Sequence, residues 1–149
     1  MTIDDVEKAD RLSRLRARML PALAAIFLVQ QGAFVMARIE GGTRTVDRVT
    51  IGAWLVLSVV LLLLLTTGGA WLQRRSVRTL LNDEVTRANR TSGMELGFIA
   101  AMFGAVALYL FTLFEPLSGP DAIHVLMTVG IGAALLRYGY LERRAHRDG

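Results

Sequence analysis

The chain has 149 residues, enough for one domain, and 53% of them are hydrophobic, a share that leaves the choice between a globular and a membrane protein open. A net charge of +4 and a pI near 10.3 would suit a nucleic-acid binder, but most arginines flank long apolar segments, where they anchor helix ends to headgroups and set topology, so direct nucleic-acid binding is not expected. The absence of cysteine excludes disulfides, thiolate metal sites and cysteine nucleophiles.

Charges gather at Asp4 to Arg18, Arg38 to Arg48, Arg74 to Arg90 and Arg137 to Asp148, with long segments almost free of them in between. A soluble bundle would scatter charge along every helix to give each a wet face. This distribution predicts an all-α integral membrane four-helix bundle forming a single membrane domain over 1–149, with spans at about 19–37, 51–72, 94–114 and 122–140. Residues Met1 to Arg18 read as a short amphipathic lead-in, with Val6, Leu12 and Leu15 sharing part of one face. That segment mixes acids with bases and leads to no A-x-A site before Arg38, so the first apolar run is expected to be a retained span.

The first run, from about Met19 to Ala37, has Pro21 in its first turn, where a missing N–H costs little, and Gln30 and Gln31 inside. An amide in hydrocarbon wants a partner on another helix, so both glutamines are expected to act as helix-packing glue. Arg38 to Arg48 is a short connection turning at Gly41–Gly42. The second run, Ile51 to Leu72, has no ionisable group from Thr50 to Gln73 and carries Trp54 and Trp71 near its ends as expected interfacial anchors.

The polar stretch 73–93, QRRSVRTLLNDEVTRANRTSG, follows. Nothing from Gln73 to Leu81 breaks a helix, so the second span is expected to continue outward, with Asn82 or Asp83 as an N-cap and Asp83 and Glu84 in or beside the first turn of a helix running into the third span. The result is a helical hairpin standing off the membrane. It carries Arg74, Arg75, Arg78, Arg87 and Arg90, more arginine than topology requires.

The third run, about Leu96 to Phe114, and the fourth, about Ile123 to Leu136 with extension to Tyr140 if Arg137 snorkels, are joined by EPLSGPD, which has two prolines, one glycine and no basic residue. Against the basic 73–93 stretch and the basic tail Leu141 to Gly149, this asymmetry predicts that both termini and the hairpin are cytoplasmic; three arginines in Arg38–Arg48 run against it. Gly93 and Gly97, then Ala101, Gly104 and Ala105, and on the fourth span Gly130, Gly132 and Ala133, let backbones approach closely, so these two spans are expected to pack on each other or to form a homodimer face.

Catalytic residue types in usable spacing are missing: no nucleophile has a base at a readable distance, and there is no phosphate-binding glycine loop and no HExxH. Glu115, Asp121 and His124 could in principle hold a divalent metal, but helix-end roles account for Asp121 and His124. No enzyme activity, metal or cofactor is expected. Glu95, at the edge of hydrocarbon, is expected to pair with Arg137 or with the hairpin arginines.

Within LNDEVTRANR, the residues Asn82, Asp83, Glu84, Thr86, Arg87 and Ala88, followed by a small-residue-rich span, resemble the juxtamembrane DER-type or NDE-type motif of bacterial four-span inner-membrane proteins. Val85 stands where an arginine would follow the acids in the DER form. Those proteins are regarded as companions of small helix-turn-helix transcription regulators, so the resemblance implies a non-enzymatic regulator of the bacterial inner membrane with a cytoplasmic protein partner. Arg74, Arg75, Arg78, Arg87 and Arg90 would meet that partner, with Asp83 and Glu84 setting polarity and register. The other expectation from the residues is an oligomeric transporter or channel using Gln30, Gln31, Glu95 and His124 as a polar path, or an accessory subunit of a larger membrane complex.

Overall fold

The computed structural model of the chain describes residues 3–39, 44–68 and 84–148. They form four helices, α1 (Ile3–Ile39), α2 (Arg44–Thr67), α3 (Glu84–Thr112) and α4 (Gly119–Asp148). Among the described residues three stretches are long and apolar enough to cross a membrane: Val49–Thr67, Glu84–Thr112 and Gly119–Ala145. The first expected span, 19–37, lies in α1, whose side chains from Ala33 onward are outside those described.

α1 absorbs both the lead-in and the first apolar run, so Pro21 stands inside a continuous helix and not in its first turn as the sequence suggests. An interior proline gives up one backbone hydrogen bond and needs room for its ring. Gly139 of α4 supplies room on one side: a Cβ built there would lie 3.0 Å from Pro21 Cγ.

α2 also departs from expectation, ending at Thr67 and not at Leu72. Gly68 adopts φ 67° and donates its N–H to Leu64 O at 2.8 Å, the left-handed glycine cap that closes a helix C-terminus. Residues 69–83, including Trp71 and the expected outward continuation of this helix, lie outside the described residues. Trp54, expected at the interface, is instead turned inward and buried.

α4 is the hub. Its N-terminus is capped by Ser118: the Asp121 N–H donates to Ser118 Oγ at 3.3 Å, and that hydroxyl donates to Asp121 Oδ2 at 2.5 Å. Ile131, Leu135 and Tyr138 recur at helical spacing and enter the core with Leu20, Ala24 and Phe27 of α1 and Trp54, Leu61 and Leu65 of α2. α3 and α4 run antiparallel in close contact. A Cβ built at Gly97 would fall 2.7 Å from both Ala134 Cβ and Gly130 O, and one at Gly93 2.9 Å from Ala134 O. α1 lies on another face of α4, also antiparallel, with Leu28 beside Gly132 and Pro21 beside Gly139.

The small residues of α3 are therefore spent within the chain, which realises the packing use of the stripe. The rest of α3 is open. Only 6% of its apolar window is buried, and Phe98, Phe103, Val106 and Tyr109 are exposed, an arrangement suited to lipid and not to water.

Candidate functional site

α3 begins at Glu84, well before the apolar segment that starts near Met94, so its first turns form a polar extension of a membrane-length helix. Glu84 in the first turn complements the partial positive charge of the helix N-terminus. The extension has two faces. Thr86 and Gly93 are buried and Asn89 half-buried toward α4, while Glu84, Arg87, Ala88, Thr91 and Glu95 are exposed on the other side. With Ser92 they edge a shallow groove of about 440 Å³. The Thr91 hydroxyl bonds back to Arg87 O at 3.1 Å, so the charged side chains dominate what this face offers.

The inner face is held by a carboxylate that sequence reading did not single out. Glu142 of α4 is only 3% exposed, and its Oε1 accepts a hydrogen bond from Asn89 Nδ2 at 3.3 Å. The signal was there to be read: Ile131, Leu135, Tyr138 and Glu142 continue one helical stripe, so the apolar periodicity carries the acid inward. On the flank of the same contact, Arg137 Nε donates to Ser92 Oγ at 3.4 Å. The expected Glu95–Arg137 ion pair is not formed. Glu95 is exposed, and Arg137 Nε reaches Ser92, which is half-buried between Glu95 and the Gly93 contact.

A second polar group sits inside the bundle. The rings of Trp54 and His124 stack with centroids 4.3 Å apart and an interplanar angle of 27°. Ser58, one turn beyond Trp54, is fully buried, and Gln31 on α1 is 5% exposed. The Gln31 amide, Trp54 Nε1 and Ser58 Oγ have no hydrogen-bonding partner among the described residues, so no direct hydrogen bond from Gln31 ties it to another described helix as the sequence suggests. Gln30 is only partly buried.

The residues put forward for a polar path thus separate: Gln31 and His124 are interior, and Glu95 is on the exposed face of α3. Glu115 is exposed, Asp121 serves the α4 cap and His124 lies under Trp54, and no group of metal-ligating side chains occurs among the described residues. Of the residues put forward for partner binding, Glu84 and Arg87 are exposed and Arg90 half-buried; Arg74, Arg75, Arg78 and Asp83 lie outside the described residues. Gly97, Ala101, Gly104 and Gly130 all lie in or beside the α3–α4 contact. Comparison with protein-family models, with curated proteins and with solved structures returns no match.

Proposed function

We propose that the protein is a non-enzymatic, four-span regulator of the bacterial inner membrane that docks a cytoplasmic protein on the polar end of α3 and holds it at the membrane. The observation that carries this reading is the two-faced extension itself. One face, through Thr86, Asn89 and Gly93, is committed to α4, and the other presents Glu84, Arg87 and Thr91 beyond the apolar segment and Glu95 at its edge. A span needs no such extension to cross a bilayer, and an exposed row of alternating charge favours register-specific docking over simple adhesion to headgroups. Arg74, Arg75, Arg78 and Asp83, next in sequence, would enlarge the same surface. The motif resemblance within LNDEVTRANR supports a DNA-binding transcription regulator as the partner.

Reversal of Arg78 and Arg87 to glutamate is expected to lower capture of the soluble partner from detergent extracts about tenfold or more, because like charges would then face each other across the interface. Recovery of the same protein in the same yield with the double variant would contradict the proposal, as would the absence of any protein that depends on these arginines.

A further inference from the structure

The apolar surface of the bundle has a lengthwise groove of about 260 Å³ between α2, α3 and α4, walled by Leu65 and Thr66, Met94 and Phe98, and Met127 and Ile131. It exists because α2 leans on α4 and barely touches α3, leaving the two helices splayed. Its one side-chain hydroxyl is satisfied within α2, where Thr66 Oγ1 donates to Leu62 O at 2.9 Å. The wall is otherwise hydrocarbon, and it opens sideways within the membrane-length segments.

The charge at one end of this groove identifies an occupant. Met94, Phe98 and Ala101 lie on one stripe of α3, and stepping back along that stripe by four and seven residues from Met94 reaches Arg90 and Arg87. Arg90 is half-buried and Arg87 exposed, one and two turns before Met94 on the same stripe, which puts two arginines at the polar end of α3 next to the end of the groove. Met94 to Ala101 spans about 10 Å of helix, and Arg90 adds about 6 Å more. An apolar slot of that length continued by cations matches a lipid with an acyl chain and a negatively charged headgroup. We propose that this groove is a specific site for one anionic phospholipid, its acyl chain lying between α2 and α3 and its phosphate meeting Arg90 and Arg87. Lipid held there would also fill the gap that α2 leaves, joining α2 to α3. The inference goes beyond protein docking and needs only that the bundle resides in a membrane.

Native mass spectrometry of the delipidated full chain, titrated with phosphatidylglycerol and with phosphatidylcholine of identical acyl chains, tests it. One phosphatidylglycerol per chain is expected to bind about thirtyfold more tightly than phosphatidylcholine, the effect of two arginines near a headgroup, and Arg87→Gln with Arg90→Gln brings the two lipids to parity. Met94→Trp, which fills the slot, is expected to weaken both lipids at least fivefold and leave their ratio unchanged; if circular dichroism shows that it does not fold, Leu62→Trp fills the slot from α2. Equal affinity for the two lipids in the wild type would overturn the proposal. Selectivity indifferent to the arginines, or affinity indifferent to the slot variant, would do the same, as would a dimer mass that excludes the lipid. Because partner capture is read without added lipid, either proposal can fail while the other stands.

Discussion

Gly97→Leu is expected to unpin α3 from α4 and to destabilise the purified protein by about 3 kcal/mol, the upper part of the range for overpacking a tight contact. The first atom added already finds no room, because a Cβ at residue 97 would sit 2.7 Å from Gly130 O as well as 2.7 Å from Ala134 Cβ. A side-chain tip could swing aside, but a helix carbonyl cannot, so the helices must move apart. Separation then costs the neighbouring contacts, since Gly93 and Ala101 approach α4 on the same stripe. Gly32→Ala and Gly52→Ala are the matched controls. A Cβ at either meets nothing within 4 Å, and alanine is the better helix former by about 1 kcal/mol, so these variants should be neutral or slightly stabilising. Unfolding in mixed detergent micelles with increasing SDS reads all three. A Gly97→Leu protein as stable as its controls would refute the α3–α4 contact.

Glu142→Ala is expected to cost about 2 kcal/mol and to free the polar end of α3. Truncation removes the acceptor of the Asn89 hydrogen bond from a buried site and leaves the amide to find another partner or none, which typically costs about 1–3 kcal/mol. Glu142→Gln keeps an acceptor oxygen in nearly the same place and should retain most of the stability. Hydrogen exchange localises the effect: amides from Thr86 to Gly93 should exchange faster in Glu142→Ala and near the wild-type rate in Glu142→Gln. Equal exchange in all three proteins would mean that the carboxylate does not hold the extension. Because Glu142 is buried, any loss of partner capture in Glu142→Ala would act through positioning of the exposed Arg87 face and not through lost contact.

Much of the fold is legible in the sequence because it rests on local terms. Long apolar runs give α2, α3 and α4 their membrane-length segments, and the prolines and glycine of EPLSGPD end one helix and restart the next. The small-residue spacing from Gly93 to Gly104 foretells the close face of α3. Where sequence reading fails, a tertiary fact decides. The first of two glycines, Gly68, ends α2 before Leu72 because it takes a left-handed conformation and caps the helix, whereas nothing but hydropathy draws the run on to Leu72. Trp54 near the end of an apolar run looks like an anchor, yet it turns inward because His124 offers a ring to stack on. Opposite charge at Glu95 and Arg137 suggests a pair, but the rotation of α3 that buries Gly93 and Gly97 leaves Glu95 facing outward and brings Ser92 within reach instead. Glu142 was missed for a different reason. An acid in LERR reads as part of a basic, wet tail, and only its place on the stripe of Leu135 and Tyr138 reveals that it is buried.

The helix directions fit alternate crossing of a membrane, since α1 and α3 both run antiparallel to α4. In the proposed arrangement the turn at Ser118 is outside and the polar end of α3 is in the cytoplasm. Single-cysteine labelling in intact cells tests this most directly, because the chain has no cysteine of its own to remove. With a membrane-impermeant maleimide, Ser118→Cys should label in intact cells, while Ala88→Cys should label only after the membrane is opened. Labelling of both positions from the same side, or of Ala88→Cys in intact cells, would contradict a four-span bundle that presents its charged face of α3 to a cytoplasmic partner.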